Sequence, residues 1–186
     1  MKAFYFVLLS FLFLQVAAQE KSSNSMTIGT NIGGFDHSSG FGPVFFVEYD
    51  WCVNQFLKLS PHLQMGSGNN TSEYGNMGED ETVDKLTNSF ESGLLLKIVP
   101  IPKYFDRLRF ITGFTYLIEN TLISDTGNLQ KNGFLKQSGF NTVVGLDLDV
   151  LKLKKLSVGL NSRVNTSNKR ILLYHFGIVT TIKLAD

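Results

Sequence analysis

Ser60 and His62 stand two residues apart in a strand-like segment, so their side chains would share one face, where an imidazole could take the serine proton for hydrolysis or acyl transfer. That chemistry would suit a membrane-embedded lipid-modifying enzyme. The other histidines, His37 and His175, fall in a loop and a distant strand, and the three show none of the paired spacing of metal ligands. No Gly-rich loop lies between a strand and a helix, so Gly29 and Gly33-Gly34 read as strand or turn glycines and not as a phosphate cradle. Ordinary polar residues on a strand framework account for all of these. No catalytic residue, metal or cofactor is expected. Cys52 is the one cysteine, so no intramolecular disulfide forms, and its place near a strand end fits a small buried residue.

The elements that would position these residues are strands. Residues 171 to 184 split by parity, with Leu172, Tyr174, Phe176, Ile178, Thr180, Ile182 and Leu184 on one side and Leu173, His175, Gly177, Val179, Thr181 and Lys183 on the other. Successive strand side chains point to opposite faces, so one face is greasy and the other small or polar. Similar segments occur at about 25–35, 41–52, 56–66, 89–99, 108–119, 139–150 and 156–165, which makes eight, each near the ~9 to 11 residues that a tilted strand needs to cross a bilayer. Tight links at 53–55, 100–107 and 151–155 alternate with connections at 36–40, 67–88, 120–138 and 166–170, the longest of which read as loops.

Ahead of these segments, Lys2 precedes an apolar run from Phe4 to Leu14 and then Val16-Ala17-Ala18, the pattern of a secretory signal peptide cleaved after Ala18. Residues 1–18 are read as that signal and 19–186 as one barrel domain. Gln19 follows the cleavage site where a lipid-anchored protein would need cysteine. The formal charge of +1 falls to zero without Lys2, so no nucleic-acid partner is expected.

Alternation fits both a membrane barrel, greasy outside, and a soluble lipocalin-like carrier in the periplasm, greasy inside. The polar face decides for the membrane barrel. It carries glycines at 93, 113, 145, 159 and 177 beside charges of both signs; glycines make room inside a narrow tube but only weaken a solvated wall. The expected interior is a mutually neutralising network of Glu48, Asp50, Lys58, His62, Glu91, Lys97, Arg109, Glu119, Asp147, Asp149, Arg163, His175 and Lys183, with no open pore. The expected lipid-facing aromatics are Tyr49, Trp51, Phe110, Phe114, Tyr116, Tyr174 and Phe176. The fold class is therefore all-β, a single up-and-down antiparallel eight-stranded transmembrane β-barrel, set in a bacterial outer membrane with both termini periplasmic.

Phe90-Glu91-Ser92-Gly93-Leu94-Leu95-Leu96-Lys97 resembles the hallmark strand of the PorT-type outer-membrane β-barrel family, although Ser92 and Gly93 stand where that family usually has an aliphatic residue and proline. Thr112-Gly113-Phe114 with Tyr116-Leu117, and Val143-Val144-Gly145-Leu146-Asp147-Leu148, are similar to its next strands. The resemblance implies the barrel fold and an outer-membrane location. Some members are implicated in secretion, so it leaves structural, adhesive and secretion-accessory roles open.

Four further readings complete the chain. Pro61 falls mid-strand and implies a bulge or local irregularity. The sequences Asn-x-Ser/Thr at Asn69, Asn70 and Asn165 read as exposed loops. The acidic stretch 67–88 faces away from basic turns carrying Lys103, Arg107, Lys152, Lys154 and Lys155, and reads as solvated or as binding a cation. Partners are expected to be outer-membrane lipid and an extracellular or secretion-system protein met through residues 67–88 and 120–138.

Overall fold

A computed structural model describes residues 23–35, 40–74, 81–100, 107–125, 133–167 and 170–184. The expected signal peptide, His37 and Lys103 lie outside these residues. Eight strands follow one another along the chain: β1 (Ser25–Phe35), β2 (Gly40–Asn54), β3 (Leu57–Tyr74), β4 (Glu81–Ile98), β5 (Leu108–Asp125), β6 (Gly133–Lys152), β7 (Leu156–Ser167) and β8 (Arg170–Lys183). Each pairs antiparallel with the next, and β1 pairs with β8, opposite Lys183 at Ser25 and opposite Leu173 at Phe35, so the sheet closes into a barrel. Closure leaves no sheet edge along the ladder that β1 and β8 share. Both described ends of the chain, at Ser25 and Lys183, lie at one end of the barrel.

The period-two pattern becomes radial. Phe45, Trp51, Met65, Leu94, Phe114, Val144, Leu160, Phe176 and Ile178 are exposed on the outer wall, while Glu48, His62, Glu91, Lys97, Asp147 and Arg163 between them are buried in the lumen. Two small apolar clusters share that lumen: Leu95 with Ile111 and Val143, and Phe35 with Val44 and Leu173.

The structure corrects the strand limits. Residues 67–88 and 120–138, expected as long loops, are mostly strand: the β3–β4 ladder runs without a break from Leu57 opposite Ile98 to Tyr74 opposite Glu81, and β5 stays paired with β6 as far as Ile123 opposite Gly133. Gly66 and Gly68, in a run Gly66-Ser67-Gly68-Asn69-Asn70 of turn-like composition, are strand residues facing inward against the Phe35 ring; a Cβ on Gly68 would come within 2.4 Å of that ring. Composition signalled a turn where the need was space for an aromatic ring. Pro61 brings the local irregularity without a bulge: the β2–β3 ladder skips Pro61 and Ser60 but keeps one register on either side, Glu48 with His62 and Trp51 with Leu59. The shift in that ladder falls at Cys52/Asn54, near the strand end. A second irregularity at Asn165/Thr166 leaves Leu172 without a ladder partner, and Leu172, expected on the greasy face, is buried.

Candidate functional site inside the barrel

The inward positions toward the chain ends form one ion-pair network drawn from five strands. Lys97 on β4 places Nζ 2.6 Å from Glu48 Oε2 and 2.7 Å from Asp50 Oδ1, both on β2. Arg109 on β5 donates through both Nη atoms to Asp149 on β6, at 2.9 and 2.6 Å. Arg163 on β7 grips Glu48 across the lumen with both Nη atoms, and its guanidinium lies 4.0 Å over the Phe46 ring. Such fork-to-fork geometry fixes direction as well as charge.

Uncharged groups complete the layer. Asp50 accepts from Ser25, Thr27 and Ser60 at 3.2, 3.0 and 2.7 Å, and Lys58 donates to Ser25 at 3.2 Å. Asn161 donates to Asp147 and to its other side accepts from Asn31, which also meets His175. Amide and hydroxyl donors thereby fill the lone pairs that the bases leave open, as buried charges require.

Of the thirteen residues read as interior, Glu48, Asp50, His62, Glu91, Lys97, Arg109, Glu119, Asp147, Asp149, Arg163 and His175 are buried in the lumen. Lys58 is half-buried. Lys183 is exposed, a correction with a simple cause: it ends β8 at the rim, where a long ammonium side chain reaches water. The seven aromatics Tyr49, Trp51, Phe110, Phe114, Tyr116, Tyr174 and Phe176 are exposed on the outer wall. Tyr116 meets Phe140 edge-to-face at 5.1 Å, and Tyr174 meets Phe41 at 6.0 Å.

Ser60 and His62 share the inward face without serving each other. The serine hydroxyl donates to Asp50, His62 Nδ1 sits 2.8 Å from Glu48 Oε1, and both residues are sealed from solvent. Among the described residues no group of three or more His, Cys, Asp or Glu side chains is placed to hold a metal ion.

Asn165, read as an exposed sequon, is instead buried and donates to Glu91. Asn69, by contrast, is exposed and Asn70 half-buried, both within β3. Sequence reasoning also passed over Phe46, Asn31, Gln64, Asn141 and Asn161 as site residues. Their signal was parity: each sits an even number of positions from a charged or glycine residue on the inward face of its own strand.

An eight-stranded antiparallel barrel with an apolar outer wall and a charged, filled lumen is the inverse of a soluble barrel. Among solved structures, the chain is similar to the attachment invasion locus protein Ail of Yersinia pestis, with a TM-score of 0.57 at 8% identity over 89% of this chain and 100% of that one. It also aligns with the N-terminal β-barrel domain of Pseudomonas aeruginosa OprF, with a TM-score of 0.43 at 10% identity over 87% and 98% of the two chains. Acinetobacter baumannii CarO gives a TM-score of 0.44 at 13% identity over 86% and 81%. No protein-family model and no curated protein matches the sequence. The likeness to Ail shows the fold.

Proposed function

We propose that this chain is an integral β-barrel of a bacterial outer membrane, exported by a cleaved signal peptide, that acts without catalysis as a structural, adhesive or secretion-accessory protein. The observation that carries this reading is the reversed polarity: Phe114 is 71% and Phe140 77% exposed, while Lys97 and Glu91 are 0% exposed. A soluble protein rarely shows water a continuous apolar wall larger than a few hundred Å². A lipocalin-like carrier would need the opposite arrangement, with apolar groups lining the lumen to hold its ligand. The PorT-type resemblance of the β4 to β6 segments agrees with the same location.

The plugged lumen argues for a scaffold and against a channel. The hairpins β3–β4 and β5–β6 run past the last β2 pairing at Asn69, and the surface they raise is where a protein partner would dock. Cell fractionation tests the location. The chain should leave the envelope only with detergent and run faster on a denaturing gel unboiled than boiled; recovery in the detergent-free periplasmic fraction would favour the carrier.

A further inference from the structure

Farther from the chain ends than the ion-pair network, Glu91 is fully buried and, among the described residues, lies within ion-pairing distance of no base. The acids of the network are matched, with Lys58, Lys97, Arg109 and Arg163 gathered among Glu48, Asp50, Asp147 and Asp149. The groups that hydrogen-bond Glu91 are neutral, with Arg163 and His62 farther off. Its Oε2 accepts from Gln64 Nε2 at 3.0 Å and from Asn165 Nδ2. Its Oε1, together with Gln64 Oε1 and Asn165 Oδ1, is buried and, among the described residues, unpartnered. Because the carbonyl and amino groups of an amide share one carbon, the two donating amides hold their own oxygens beside the same carboxyl.

Thr115 lies next to Glu91 across the β4–β5 ladder and faces Asn141 directly across the β5–β6 ladder. Both are buried, Thr115 Oγ1 lies beside the Glu91 carboxyl, and among the described residues neither Oδ1 nor Nδ2 of Asn141 has a partner. Buried polar atoms are almost always satisfied, so open acceptors beside a buried carboxyl that meets no base point to a bound group. Carboxylate, amide and hydroxyl oxygens are hard donors that suit hard cations. A single negative charge balances one monovalent ion, whereas a divalent ion would leave the layer positive.

We propose that Glu91, Gln64, Thr115, Asn141 and Asn165 bind one alkali-metal cation inside the barrel. The site rests on the lumen alone, so its failure would leave the membrane reading intact. The test is to refold the chain into detergent micelles in sodium chloride or in choline chloride of equal ionic strength and to compare thermal midpoints with those of Glu91→Gln. Sodium should raise the wild-type midpoint by several degrees over choline, through preferential binding to the folded state, and E91Q should show no difference between the salts. Equal wild-type midpoints in the two salts would overturn the proposal. So would an infrared band of protonated carboxyl in wild-type protein in sodium that E91Q removes, because a proton would then hold the place of the cation. Should E91Q not fold, sodium NMR on the wild type decides: a sodium line broadened by the barrel and sharpened by potassium supports the site, and an unbroadened line overturns it.

Discussion

The Arg163 guanidinium carbon lies 4.0 Å from the centre of the Phe46 ring, so one side chain stacks on an aromatic face while its fork holds Glu48. Arg163 and Glu48 are 115 residues apart and come from β7 and β2, which β8 and β1 separate in the closed sheet. Their pairing ties the barrel across its width. Removing one partner of a buried pair leaves an uncompensated charge, so Arg163→Ala should destabilise the barrel by about 3–5 kcal/mol. Arg163→Lys should recover less than half, since an ammonium offers neither the fork nor the planar stack. Urea unfolding in lipid vesicles, followed by Trp51 fluorescence, measures both.

Gly29 makes room for the same ring. A Cβ at position 29 would lie 2.1 Å from Phe46, on an inward face with little slack. Gly29→Ala should cost about 1–3 kcal/mol by overpacking. Adding Phe46→Leu should restore most of that loss, whatever it costs by itself. A double-mutant cycle separates the two effects, and additive losses would show that Gly29 is needed for another reason.

Phe114 and Phe134 test what surrounds the wall, because both are exposed but only Phe114 lies in the part of β5 that pairs with the barrel half of β4. With hydrocarbon around the barrel, Phe114→Arg should destabilise by about 2–4 kcal/mol in bilayers, and Phe134→Arg on the protruding hairpin by about 0–1. Near-zero effects at both positions would mean that water bathes the wall.

The protruding part of β3–β4 should be dispensable for folding. Beyond Asn69, β3 has no partner on β2. Replacing residues 71–84 with a short turn should leave the heat-dependent gel shift unchanged and remove binding of any partner that docks there. Loss of the folded, fast-migrating form would instead assign these residues to the barrel's stability.

How far the barrel could be read in advance depended on whether a feature was local. The alternation at Glu48, Asp50, Lys97 and Asp147 predicted burial because polarity at period two is a property of each pleated strand. The lengths of β3 to β6 were not legible: glycine, serine and asparagine at 66–70 carry a turn signature that cross-strand pairing overrides. Asn165 was misplaced for the same reason, its sequon being a pattern of residue types with no information about the lumen it enters.

By itself the sequence determined that there are eight amphipathic strands with one oily and one polar face, since side-chain direction follows from backbone pleating residue by residue. Only the tertiary structure decided that Arg163 meets Glu48 and Phe46, that Phe35 needs the space at Gly66 and Gly68, and that Glu91 receives amides and no base. Those meetings depend on closure and on the stagger between strands, which set which side chains reach one another across the lumen and are written in no single segment.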